Sequence, residues 1–213
     1  MILDIKNYTK VIKNKTILND VNLHLKSGNV YGFYGRNGSG KTMLFRAIAT
    51  LVYPTKGDIL IDNKSLINDD FDLSMIGLLI EEPGFLPYLT GLENLSLLYE
   101  INNDKNDEHL KNIMKKVGLS ENQPEKYKEY SLGMKQKLRI AQAIMENQQL
   151  IILDEPTNGL DETSVKKLHE IVKQLKKQNK LVLIASHNKE DLNELCDIIY
   201  KISDGKIQGE IKL

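Results

Sequence analysis

The chain has one cysteine, Cys196, in 213 residues. One thiol cannot close an intrachain disulfide and matches no zinc-ligand spacing, so it reads as a partly buried apolar group. No apolar run approaches the roughly 18 residues that a membrane-spanning helix needs. The start, Met1-Ile2-Leu3-Asp4, has neither the basic flank nor the apolar core of a secretory signal. A cytoplasmic chain is expected, and any work at a membrane would require another chain to do the spanning. Excess charge of either sign is also missing. Lys plus Arg and Asp plus Glu number 29 each, which argues against nonspecific nucleic-acid binding as the main task. Hydrophobic residues make up 41%, enough for a real core, and the length suits one domain or one domain carrying a subdomain.

Against this background stands Gly35-Arg36-Asn37-Gly38-Ser39-Gly40-Lys41-Thr42, which fits G-x-x-x-x-G-K-[ST]. The apolar run Val30–Tyr34 before it predicts a strand, and Met43–Ala49 after it predicts a helix, the context this motif needs. Glycines let the loop turn its amides inward, toward an anion at a helix N-terminus. Lys41 would reach the β- and γ-phosphates, and Thr42 would offer its hydroxyl to Mg²⁺.

The rest of the chain reads in order. Leu3 and Ile5, then Val21, Leu23 and Leu25, alternate with polar residues and predict an antiparallel sheet. Gly57–Asp62 and Ile76–Ile80 predict further strands, and residues 83–87 a loop. From Gly91 to Gly118 the period becomes helical, with Leu92, Leu95 and Leu98 on one face and Leu110, Ile113, Met114 and Val117 on another. Ile101–Glu108 and Asn122–Glu129 are polar connections. Ser131 stands where the N-cap of a helix carrying Leu138, Ala141, Ile144 and Met145 belongs. Leu150–Leu153 and Leu181–Ser186 predict buried strands. The helix Asp161–Lys177 turns Val165, Leu168, Ile171, Val172 and Leu175 inward and solvates its lysines. Strands around 198–202 and 207–211 form a hairpin. The chain closes soon after this pair, and no C-terminal regulatory domain is expected.

Two elements join the phosphate loop. Asp154 and Glu155 end a strand, where an acid would help hold Mg²⁺ and its neighbour would take a proton from the attacking water. His187 follows the strand Leu181–Ser186, at the edge where open parallel sheets bind ligands, and its imidazole could contact the γ-phosphate and the water. His24, His109 and His169 read as surface or packing residues.

In this order the residues resemble the ATP-binding cassette (ABC) family, the nucleotide-binding subunits of membrane transporters, over essentially the whole chain. Gly35–Thr42 is similar to its Walker A loop and Leu150–Glu155 to its Walker B strand. Asn158-Gly159-Leu160-Asp161 resembles the D-loop, Ser186-His187 the switch histidine, and Tyr130-Ser131-Leu132-Gly133-Met134 the signature. The resemblance implies one α/β domain over 1–213: a P-loop NTPase core with an N-terminal antiparallel β subdomain (1–81 and 149–213) and an inserted α-helical subdomain (82–148). It implies ATP held by Asn37, Gly38, Ser39, Gly40, Lys41, Thr42 and Met43, with Ser131, Gly133 and Asp161 as further nucleotide contacts. Catalysis would fall to Glu155, His187 and Lys41, and Mg²⁺ to Thr42, Asp154 and Glu81. It also implies an ATP-dependent head-to-tail homodimer acting on a permease at the inner face of the membrane, with hydrolysis driving transport.

Three departures from the family pattern stand out. Leu132 and Met134 replace glycine and glutamine in the signature. At the place of the aromatic that stacks on adenine falls Ile12 or Val11, and Tyr8 lies too early. In Ile76–Pro83, similar to the Q-loop, Glu81 replaces glutamine. Glu81 and the Tyr-Ser-Leu-Gly-Met-Lys-Gln signature are similar to the cassettes of bacitracin-resistance and lantibiotic-immunity exporters, which implies export of an antimicrobial peptide or drug. Two rival readings are an ABC ATPase of a soluble machine, in iron–sulfur assembly or DNA repair, and a binding-only switch. The short 82–148 insert speaks against a DNA-repair cassette, and Glu155 against a switch without turnover.

Overall fold

The structure, a computed structural model, describes residues 1–69, 71–81 and 84–213. β1 (Ile2–Ile12) and β2 (Lys15–Lys26) form an antiparallel hairpin with Ile5 opposite Leu23. Lys13 and Asn14 turn it with φ of 45° and 61°, the left-handed pair that suits a two-residue hairpin turn. Next come β3 (Val30–Tyr34), α1 (Lys41–Ile48), β4 (Lys56–Ile61), the short β5 (Lys64–Ser65) and β6 (Ile76–Leu79). The chain then turns helical through α2 (Gly91–Tyr99), α3 (Asp107–Val117) and α4 (Leu132–Ile144). It returns to alternating elements with β7 (Leu150–Asp154), α5 (Glu162–Lys177), β8 (Leu181–Ser186) and α6 (Lys189–Leu195). The hairpin of β9 (Ile198–Ser203) and β10 (Lys206–Lys212) follows.

Two sheets result. One is antiparallel, in the order β2-β1-β4-β5; the other has six strands, β10-β9-β3-β8-β7-β6. In the second, β6, β7, β8, β3 and β9 run parallel and β10 is antiparallel. β3, β7 and β8 are buried along almost their whole length, as parallel strands covered on both faces must be, and so they read as unbroken apolar runs. Successive side chains of β7 enter different cores. Leu150 and Ile152 join Phe33, Phe45, Leu3 and Leu23 between the sheet, α1 and the antiparallel sheet. Ile151 and Leu153 join Leu95, Met114, Leu138 and Leu168 beneath the helices.

Parallel direction brings the C-terminal ends of β3, β6, β7 and β8 to one edge. α4 is fixed near that edge by a close approach: a Cβ at Gly77 in β6 would lie 1.9 Å from the Ala143 carbonyl, so glycine is needed there. Ser131 caps α4, its Oγ accepting from Met134 N at 3.2 Å. Thr90 and Glu93 form a capping box at α2.

Several expectations shift. The first helix begins at Lys41, not Met43, and Asp161 caps α5 from outside it. Val165 is half-buried, unlike Leu168, Ile171, Val172 and Leu175. α6 was not expected at all: seven residues with Leu192 and Leu195 as its buried pair carry too little period. His24 pairs with Asp4 at 2.6 Å, His109 Nε2 lies 2.7 Å from Met145 O, and His169 stands 3.5 Å from Glu194, surface and packing roles as expected. Pro83 of the expected loop, and Glu82 just before it, lie outside the described residues. Among the described residues no helix is long and apolar enough to cross a membrane.

Candidate functional site

The loop between β3 and α1 ends in Gly40, which takes φ of 112° as the N-cap residue of α1, a conformation that needs glycine. Among the described residues no side chain caps this helix, and its first turn carries no acid. Its leading amides therefore stay open to an anion, with the helix dipole behind them. Lys41 is buried, and its Nζ donates to Gly35 O at 2.7 Å and Arg36 O at 3.4 Å. The loop's own carbonyls thus hold the ammonium in the concavity. Ser39 Oγ is buried with no hydrogen-bond partner among the described residues.

Across the sheet edge, Thr42 Oγ1 donates to Asp154 Oδ2 at 2.5 Å. Burial pushes the Asp154 carboxyl up, opposed by the Thr42 hydrogen bond and reinforced by the charge of Glu155. Its other oxygen, Oδ1, is buried without a partner among the described residues. A buried carboxylate oxygen left open beside a hydroxyl is a hard donor set, the kind a magnesium ion takes.

Glu155 is held from four sides. Its amide donates to Ala185 O at 2.9 Å. Its Oε2 lies 2.9 Å from His187 Nδ1, and its Oε1 3.7 Å from Lys41 Nζ. Gln136 of α4 donates to the Glu155 and Pro156 carbonyls at 3.2 and 3.1 Å. Glu155 takes φ of 50°, an unusual conformation for a residue with a side chain, and these contacts hold it there. A proton acceptor, a histidine and a lysine therefore share one small space.

Two cavities meet here. One, of about 500 Å³, is lined by Lys15, Ile17, Asn37, Gly38, Gly40, Lys41, Thr42, Met43, Arg46, Glu81 and Glu155. The second, of about 280 Å³, has Thr42, Glu81, Gln136, Asp154, Glu155 and Asn158 among its walls. The structure thus brings together most of the expected residues. Ser131, Gly133 and Asp161 are not in either wall. They cluster elsewhere: a Cβ at Gly133 would sit 2.9 Å from Gly159 O, two residues before Asp161, whose carboxylate accepts from Ser164 N at 2.7 Å.

The sequence model of the ABC transporter family matches residues 18–158. This chain belongs to the ABC transporter family. The cassette is 39% identical over 211 residues to the uncharacterized ABC transporter ATP-binding protein YybJ of Bacillus subtilis (strain 168), spanning 99% of this chain and 97% of that protein. It is 34% identical over 214 residues to the bacitracin transport ATP-binding protein BcrA of Enterococcus faecalis, spanning 100% of this chain and 70% of that one. Its structure is similar to the dimeric structure of MJ0796, a bacterial ABC transporter cassette. The TM-score is 0.89 at 28% identity, covering 99% of this chain and 98% of that chain. ABC cassettes hydrolyse ATP, and this is an ATPase of that fold: a P-loop core with an antiparallel β subdomain and inserted helices.

The contacts of four residues of the cassette's site escaped sequence reasoning, although one of them, Gln136, ends the Tyr-Ser-Leu-Gly-Met-Lys-Gln signature. Gln136 and Arg46 meet their partners through long-range packing, which no local pattern announces. Lys15 and Ile17 line the larger cavity near the place expected for an aromatic base stack. Tyr8 is no such stack: it is fully buried, with its hydroxyl donating to Val52 O at 2.7 Å.

Proposed function

We propose that this cassette powers an export-type ABC transporter through an ATP-dependent head-to-tail homodimer. The observation that carries this reading is the convergence of Lys41, Thr42, Asp154, Glu155 and His187 at one sheet edge, with Ser131, Gly133 and Asp161 set apart. On this reading the loop amides from Asn37 to Met43, with Ser39, cradle the polyphosphate, and Lys41 leaves its loop carbonyls for the β- and γ-phosphates. Glu155 accepts a proton from the attacking water, and His187 steadies that carboxylate and faces the γ-phosphate. Thr42 and Asp154 would hold Mg²⁺, with Glu81 as a further oxygen donor. That ion would offset charge on the β- and γ-oxygens.

Ser131, Gly133 and Asp161 then serve the nucleotide of a second copy, across the interface. The division into core plus β subdomain (1–81 and 149–213) and helical subdomain (82–148) belongs to this proposal, and the run of helices α2, α3 and α4 between β6 and β7 supports it. So does a place for the permease. Leu78 and Ile80, just before Glu81, line an apolar groove of about 420 Å³ with Phe85, Leu86, Leu97 and Leu98. We place the membrane partner there, with the cassette peripheral on the cytoplasmic face. The similarity to a bacitracin transport protein supports an antimicrobial peptide or drug as cargo.

The test is Glu155→Gln. Phosphate release should fall about 10²–10⁴-fold, the usual worth of a general base, with nucleotide affinity retained. Undiminished phosphate release would overturn the assignment.

A further inference from the structure

The site carries one more charge pair than the roles above use. Glu81, the carboxylate that stands where the family has an amide, accepts a hydrogen bond from Arg46 Nη2, and the two form an ion pair. Arg46 lies in the last turn of α1, one helical turn after Thr42. A cation there is favoured by the helix dipole, and the i,i+4 spacing places both side chains on one face. α1 therefore reaches two strand ends at once, β7 through Thr42–Asp154 and β6 through Arg46–Glu81.

The position of the pair matters more than its strength. Both residues line the larger cavity with Lys41 and Thr42, and Glu81 also lines the smaller one with Asp154 and Glu155. Glu81 has φ of 55° and its side chain is 60% exposed, so packing does not fix it. Its charge reaches the neighbouring acid, adding to the upward push on Asp154. Arg46 in turn holds the Glu81 carboxyl below its ordinary range. Among the described residues, three carboxylates thus border the space proposed for a polyphosphate. Lys41 lies near one, Thr42 hydrogen-bonds another, and Arg46 pairs with the third.

We propose that Arg46 is a positioning residue whose guanidinium compensates Glu81 and keeps that carboxylate at the rim of the cleft, where it does not repel an incoming nucleotide polyphosphate. This rests on reading the cleft as the nucleotide site. A glutamine at 81 would need no such partner; a glutamate does, because an unpaired anion beside a polyphosphate opposes binding.

Equilibrium titration with a fluorescent ATP analogue in EDTA tests this without turnover. Arg46→Gln should weaken binding roughly three- to tenfold, and adding Glu81→Gln in the same chain should restore it to within about twofold of the parent. Arg46→Lys, which keeps the charge, should recover most of the loss. A double variant as weak as Arg46→Gln alone would overturn the proposal, since Arg46 would then act on nucleotide directly. An Arg46→Gln variant that binds like the parent would overturn it too. If the parent binds no better than Lys41→Ala, the reading of the cleft fails instead, an outcome visible before any Arg46 variant is made.

Discussion

Gln136 Nε2 donates to the main-chain carbonyls of both Glu155 and Pro156, tying α4 to the peptide that carries the Glu155 carboxylate. Gln136 is buried, and the helix it belongs to is the one headed by Ser131. In a head-to-tail pair, the helix that serves the neighbour's nucleotide would thus be hydrogen-bonded to the residue that acts on its own. Gln136→Ala removes the donor to the buried Pro156 carbonyl, while Glu155 O keeps the Asn158 amide, and should cost about 1–3 kcal/mol of stability. Beyond that, kcat should drop more than KM rises, because Glu155 loses its aim rather than its charge. Denaturant unfolding with steady-state kinetics checks both; equal changes in kcat and KM would argue for a structural role alone.

Asp154 gives a test of stability against function. Burial, the largest cause, raises its folded-state carboxyl above the unfolded value. A raised acid stabilises the fold only while protonated. That contribution is complete below about pH 4, the unfolded range, and is lost as pH rises through the folded value. Above that value the charged carboxylate, with Oδ1 unpartnered among the described residues, is therefore a burden in the nucleotide-free chain. Asp154→Asn should melt higher than the parent at pH 7, and the difference should shrink toward pH 4. The same variant should lose the extra stabilisation that magnesium gives ATP binding. Thermal melts with and without Mg·ATP across pH measure all three.

Tyr8 predicts how the base is read. Burial pushes its hydroxyl up to about 12, and it donates to Val52 O inside the core. Tyr8→Phe should leave nucleotide affinity unchanged and cost about 1 kcal/mol of stability. With Lys15 and Ile17 rather than an aromatic lining the cleft, ATP and GTP should bind within about tenfold of each other, the worth of one stacking contact. Competition titrations decide this; a Tyr8→Phe variant that loses ATP would return Tyr8 to the site.

Cys196 offers a probe of the fold. It is buried, and burial with the nearby charge of Asp197 pushes its thiol well above the usual range. A thiol reagent should label it at least about a hundredfold more slowly in the native chain than in denaturant. Equal rates would mean that the β3–α6 packing around it opens readily.

Much of the site was legible because its chemistry is local. The phosphate loop is contiguous, and Asp154-Glu155 and His187 each directly follow an apolar strand. The strands announced themselves because burial on two faces forbids polar interruptions. What stayed hidden depends on geometry at a distance. Arg46 and Glu81 are 35 residues apart, and Gln136 and Glu155 are 19 apart. Tyr8 was hidden by a single break in register. Leu3 and Ile5 alternate inward, but a bulge at Asn7, with φ of 48°, turns Tyr8 rather than Asn7 into the core. α6 was too short to show a period.

The measurement closest to the centre of this account is the mass of Glu155→Gln in solution with Mg·ATP, by light scattering. If a nucleotide is completed by Ser131 of a second copy, the hydrolysis-deficient cassette should shift from 24.3 kDa to twice that mass when ATP is added and return when it is removed. A variant that binds ATP yet stays at the single-chain mass would contradict the shared site.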